Sequence, residues 1–158
     1  MKLVELGTGD AAAFAELEEV AFAHPWSEAS LAAELAKEGA RAVAVRDHQK
    51  LLAAALFASV CDEAELLRIA TRPEARRQGL AQALLEKGLE QLREQGISSV
   101  FLEVEAGNLP AVALYRSQGF VLSGRRPAYY PNGGDAELYR LDLAGRDGIP
   151  PQNLGPGR

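Results

Sequence analysis

Apolar side chains recur at every second residue in some stretches of the chain and at helical spacing in others, and the switches between the two periods lay out its elements. KLVEL (2–6) reads as a short strand ended by Gly7. From Asp10, a candidate N-cap, Phe14, Leu17, Val20 and Ala21 follow helical spacing. HPWS (24–27) interrupts it, because Pro25 drives His24 out of the helical region and Ser27 caps a second helix carrying Leu31 and Leu35. RAVAVR (41–46), a polar DHQK turn and LLAAALFASV (51–60) predict a strand, a hairpin turn and a longer strand, and AELLRIAT (64–71) a further one. Leu80, Leu84, Leu85, Leu89 and Leu92 form one face of the best-marked helix, which Gly96 ends. SVFLEVE (99–105) alternates, with Val100, Leu102 and Val104 on one face and Phe101, Glu103 and Glu105 on the other. Asn108 caps a short helix through Tyr115, with Pro110 in its first turn and Gly119 as its stop. FVLSGRR (120–126) and AELYRLDL (136–143) complete the strands around a turn from Tyr129 to Gly134.

This order predicts a mixed α/β (α+β) domain over residues 1–143: a twisted mixed sheet of about seven strands with helices on both faces. The lack of strict strand–helix–strand repetition argues against a Rossmann domain. The last fifteen residues, AGRDGIPPQNLGPGR (144–158), hold four glycines and three prolines and predict a flexible tail.

Composition narrows the partners more than the fold. A chain of 158 residues is about one domain long. Its 47% hydrophobic and 25% charged residues suit a globular protein, with no run long enough for a membrane helix. The net charge of −5 disfavours general nucleic-acid binding and permits a cationic or amine-bearing partner. Cys61 is the sole cysteine, and with only His24 and His48 beside it no metal-ligand spacing exists. No signal peptide is evident in MKLVELGTGD, so a reducing cytoplasm is the expected location.

RRQGLA (76–81) carries the first chemical signal. A glycine between a strand-and-turn and a helix leaves the first main-chain N–H groups of that helix open at the positive end of its dipole, where they suit an anion. It is neither a P-loop nor a G-x-G-x-x-G loop, and an exposed basic helix start with a tolerated glycine would look the same.

R-x-x-G-x-A at this place resembles the pyrophosphate-binding motif of the GNAT acetyltransferase superfamily, and the element order resembles that fold up to about residue 143. HPWSE (24–28), DEAELLRIATRPEARRQGLAQALL (62–85), LEVEAGNLPAVALYRSQGF (102–120) and RRPAYYPN (125–132) are similar to the branch that acetylates the N-terminal alanine of a small-subunit ribosomal protein. The resemblance implies a sheet splayed in the middle, with acetyl-CoA as co-substrate, no metal, and a protein N-terminus as acceptor, acting as a monomer or weak dimer.

Carried over residue by residue, it implies that Ile69, Ala70 and Thr71 pair with the pantetheine arm through their main chain. Thr71 stands where an aliphatic residue is usual. Arg76, Arg77, Gln78, Gly79, Leu80, Ala81 and Gln82 would hold the diphosphate, Ala81 replacing the commoner second glycine, and Asn108 would also touch the cofactor. Glu103 is the expected general base, with Glu105 attracting a cationic acceptor. Tyr115 is the expected general acid; a phenol near ~10 donating to a thiolate of parent pKa about 8.5 is uphill, which favours hydrogen-bond stabilisation. Tyr129, Tyr130 and Trp26 would border the acceptor, although a hairpin pair and a staple between helices explain them equally.

Amine chemistry fits an N-terminus. Neutralising an α-amine at pH 7 costs about 1 kcal/mol, whereas a lysine costs on the order of 4.6 kcal/mol. With no histidine beside a serine nucleophile motif, direct transfer in a ternary complex is expected. A lysine or small-molecule acceptor, or a non-catalytic acetyl-CoA-binding module, remains open.

Overall fold

The structure, a computed structural model, describes residues 1–143, so the predicted tail at 144–158 lies outside the described residues. Seven strands, β1 (Lys2–Leu6), β2 (Ala40–Asp47), β3 (Lys50–Val60), β4 (Glu63–Thr71), β5 (Ser99–Glu105), β6 (Val121–Arg126) and β7 (Ala136–Asp142), form one sheet in the order β1-β2-β3-β4-β5-β7-β6. The sheet is mixed: β4 runs parallel to β5, whereas the β1–β2, β2–β3, β5–β7 and β6–β7 pairs are antiparallel. Four helices accompany it: α1 (Ala11–Ala21), α2 (Glu28–Leu35), α3 (Leu80–Glu94) and α4 (Leu109–Ser117). Two 3₁₀ turns, Thr8–Asp10 and Pro73–Ala75, are too short to leave a period in the sequence.

The described residues divide into two compact units, Met1–Val60 with Leu66–Gln91, and Cys61–Glu65 with the described residues from Leu92. In the first unit, Phe14 and Leu17 of α1 and Leu31 and Leu35 of α2 pack with Ala42 and Ala44 of β2 and Ala54 and Leu56 of β3. Alanines on the strands let the helices lie close. The next β3 side chain, Phe57, meets Gly88 of α3, where a Cβ would strike the ring. Ser27 caps α2 as expected, its hydroxyl accepting from Ser30 N at 3.0 Å. Asp10 precedes α1 without capping it; its carboxylate instead accepts from Gly7 N at 2.8 Å and Arg46 Nη2 at 2.9 Å. Val20, predicted to face the core, is 43% exposed, and Glu18 is the side chain that α1 buries in its last turn.

In the second unit the alternation of β5 appears as predicted. Val100, Leu102 and Val104 are buried, in register with Leu141, Tyr139 and Glu137 of β7. Phe101, Glu103 and Glu105 take the other face, in register with Arg140, Leu138 and Ala136. α4 adjoins the first face, where the Arg116 guanidinium lies 5.5 Å from the Tyr139 ring. Tyr139 donates to Glu137 at 2.8 Å, and Arg125 Nη2 donates to the same carboxylate at 2.8 Å. Gly96 (φ 88°) ends α3 with paired bonds, Ile97 N to Leu92 O at 3.0 Å and Gly96 N to Arg93 O at 3.0 Å. Gly119 (φ 98°) ends α4 by the same device, through Phe120 N to Tyr115 O at 3.1 Å.

Candidate active site

The first unit presents the candidate anion loop. β4 ends with Ala70 buried in the α1–α2 core and Ile69 and Thr71 half-buried. After the Pro73–Ala75 turn the backbone takes positive φ at Arg77 (64°) and at Gly79 (77°), a pairing that curls successive main-chain N–H groups around a concavity. Arginine there accepts a left-handed conformation that glycine takes without strain. A Cβ built on Gly79 would meet nothing within 4 Å, so bare backbone faces open space. The first main-chain bond of α3 runs from Ala83 N to Gly79 O at 3.0 Å, which leaves the N–H groups of Leu80, Ala81 and Gln82 ahead of the helical ladder. Exposed donors, a missing side chain and a helix N-terminus together fit a diphosphate.

Two expected contacts are partly spoken for. Arg76 turns back, its Nε donating to Thr71 O at 3.3 Å and its Nη2 to Ala21 O at 3.4 Å. The Gln82 amide donates to Glu86 at 3.1 Å. Trp26 is half-buried against the α1–α2 core, with its ring 5.1 Å from the Arg68 guanidinium and its main-chain N–H donating to Glu18 Oε1 at 2.9 Å.

The second unit gathers four of the predicted residues. Glu103 is half-buried and accepts from Arg126 Nη1 at 3.1 Å; Arg126 in turn lies 5.5 Å from the Tyr129 ring. Tyr129 and Tyr130 meet edge to face at 5.1 Å. Burial pushes the Tyr130 hydroxyl above its usual range, and the negative charges of Glu103 and Glu105 add to the rise. Glu105 Oε2 accepts from Asn132 Nδ2 at 2.9 Å, so this carboxylate anchors the β6–β7 turn as well as lending its charge. Tyr130 O accepts from Gly133 N at 2.8 Å, and Asn132 Oδ1 from Gly134 N at 2.8 Å. Asn108 caps α4 through Ala111 N at 3.3 Å. Tyr115, on α4, is 6% exposed with its ring 6.0 Å from that of Phe120.

Sequence reasoning did not single out Arg126, Glu18 or Arg68. Arg126 reaches Glu103 only because β7 lies between β5 and β6 and sets Ala136 in register with both Arg126 and Glu105. Glu18 and Arg68 are fifty residues apart in the chain. An acidic residue inside an apolar helical stripe was the available signal for Glu18.

Among the described residues, no group of His, Cys, Asp or Glu is placed to hold a metal ion, and no helix is long and apolar enough to cross a membrane. Residues 11–120 match the Acetyltransferase (GNAT) family. The chain is 40% identical over 128 residues to the [ribosomal protein bS18]-alanine N-acetyltransferase of Escherichia coli strain K12, covering 80% of this chain and 84% of that protein. The enzyme of the same name from Haemophilus ducreyi is 36% identical over 118 residues, covering 73% and 79%. The crystal structure of the ribosomal-protein-S18-alanine N-acetyltransferase from E. coli superposes with a TM-score of 0.85 at 37% identity, over 90% of this chain and 93% of that one.

Proposed function

From membership of the GNAT acetyltransferase family, which the match over residues 11–120 and the 40% identity to the E. coli relative establish for this chain, we propose that it transfers an acetyl group from acetyl-CoA to the N-terminal alanine amine of a small-subunit ribosomal protein. The carrying observation is the breadth of that identity, which spans 84% of an enzyme named for this reaction. Such an acceptor puts the reaction in the cytoplasm.

Acetyl-CoA supplies an activated acyl group as a thioester. The loop from Arg76 to Gln82, with its positive-φ Arg77 and Gly79, holds the diphosphate on main-chain donors. Ile69, Ala70 and Thr71 offer main-chain groups to the pantetheine arm in the manner of an added strand, and Asn108 contributes a further polar contact. Glu103 takes the proton from the α-amine as its nitrogen bonds to the acyl carbon, and Tyr115 steadies the sulfur as the carbon–sulfur bond breaks. The acceptor chain meets Tyr129 and Tyr130, and the charges of Glu103 and Glu105 favour a basic segment behind its first residue. Trp26 is a further aromatic contact for the acceptor.

Glu103 is half-buried and its ion-pair partner Arg126 half-exposed, so an arriving amine displaces the guanidinium at small cost. Incubation with acetyl-CoA and a peptide panel, followed by mass spectrometry, tests the acceptor: alanine-first peptides gain one acetyl group, and N-terminally blocked copies and lysine controls do not. Modification of lysine alone overturns the N-terminal reading.

A further inference from the structure

Glu18 has no exposed surface, and a carboxylate in such a place is costly unless it is paired and hydrogen-bonded. Three hydrogen bonds answer it. Its Oε1 accepts from Arg68 Nη2 at 2.6 Å and from Trp26 N at 2.9 Å, and its Oε2 accepts from Arg68 Nε at 2.9 Å. The Arg68 guanidinium is flanked by the Phe22 ring at 4.4 Å and the Trp26 ring at 5.1 Å. One buried charge pair therefore fixes both ends of the segment between α1 and α2, through two rings and a main-chain N–H.

That segment adjoins the coenzyme end of the first unit. Ala21 O, at its start, accepts from Arg76 of the anion loop, and Arg68 immediately precedes Ile69, Ala70 and Thr71 on β4. By strand alternation Arg68 shares its face with Ala70, which packs in the α1–α2 core. Stability alone does not call for this arrangement, because apolar side chains of similar volume serve a core at least as well as a buried ion pair. A bidentate, stacked guanidinium does supply fixed geometry. His24 and Pro25 stay exposed at the crest of the loop, and among the described residues the indole N–H of Trp26 makes no hydrogen bond.

We propose that Glu18 and Arg68 are a positioning pair that sets the α1–α2 loop, and Trp26 above all, for contact with the acceptor peptide. This rests on the acetyl-transfer reading given above. The pair touches neither reacting group, so it governs acceptor affinity and leaves the chemical step and coenzyme binding alone.

Trp26 is the only tryptophan of the 158-residue chain, so its fluorescence reports the loop directly. The decisive variant is Glu18→Leu with Arg68→Met, which replaces the pair by apolar side chains and keeps the core filled. The double variant melts close to the wild type, its acrylamide quenching rises about twofold, and its KM for an alanine-first peptide rises about tenfold with kcat and the acetyl-CoA KM unchanged. Unchanged quenching, an unchanged acceptor KM, or an equal rise in the acetyl-CoA KM each overturns the proposal. If the double variant does not fold, Arg68→Lys takes its place under the same criteria, keeping the charge and losing the bidentate stack. A wild type inert on every N-terminal peptide defeats the acceptor reading instead, and the pair then stands or falls on the quenching.

Discussion

In the proposed reaction Glu103 takes the proton and Gly79 opens the loop to the coenzyme, and each role yields a separable expectation. Glu103→Gln keeps the side chain's volume and its place opposite Leu138 while removing the proton acceptor. Steady-state kinetics of that variant show kcat lower by about 10²–10⁴-fold, with the KM for acetyl-CoA little changed. Gly79→Ala behaves in the opposite way. Its Cβ enters open space, so the stability cost is the left-handed strain alone, about 1–2 kcal/mol. The methyl group then stands where the diphosphate must approach, and calorimetry records weaker acetyl-CoA binding with kcat at saturation retained. Equal affinity in the variant would remove the diphosphate from this loop. Tyr130 gives a spectroscopic check: burial first, and the neighbouring carboxylates second, hold its phenol protonated above the ordinary range. Ultraviolet titration, with Tyr130→Phe identifying the signal, shows its ionisation moving downward in Glu103→Gln yet staying above that of a free tyrosine.

Packing between elements decides what single substitutions do to stability. Gly88 lies against the Phe57 ring, so Gly88→Leu forces α3 away from β3 and costs about 1–3 kcal/mol or more in chemical denaturation. Arg72 is buried, its Nε donating to Leu51 O at 2.7 Å and its Nη2 to Glu16, and this hydrogen bond lowers the Glu16 carboxyl below the ordinary glutamate range. A carboxyl depressed on folding stabilises the protein above its unfolded pKa and loses that contribution as pH falls through the folded one. Glu16→Gln therefore melts below the wild type at neutral pH, by about 1 kcal/mol or less for so exposed a partner, and the gap closes in acid. The elements themselves were legible because their apolar periods are regular: Leu84, Leu85, Leu89 and Leu92 are all buried as the spacing requires, and β5 presents Glu103 and Glu105 on the predicted face. Val20 misled, because a helical stripe read without its neighbours cannot tell that β4 supplies an arginine and draws Glu18 inward instead.

Across the whole molecule, the sequence carried the order of the strands along the chain but not their order in the sheet. Nothing local in AELYRLDL says that β7 inserts between β5 and β6, and that insertion is what brings Arg126 to Glu103. Likewise the turn at Gly79 was readable from its glycine, whereas the left-handed turn at Arg77 was not, since arginine carries no preference for it. The net charge of −5 acts at this scale too: under the proposed function, association with basic acceptor peptides is steered by the whole field. Their kcat/KM falls as ionic strength rises, and that of a neutral alanine-first peptide of equal length stays nearly level. The β6–β7 turn has a last consequence, for chemical ageing. Asn132 precedes Gly133, the pairing most prone to deamidation through a cyclic imide, which requires the following nitrogen to attack the asparagine amide. Here that nitrogen is bonded to Tyr130 O, and the amide is held from both sides by Glu105 and Gly134. The Glu105 carboxylate thus acts as a preservative, and on prolonged storage Glu105→Ala accumulates the Asn132→Asp mass change sooner than the wild type.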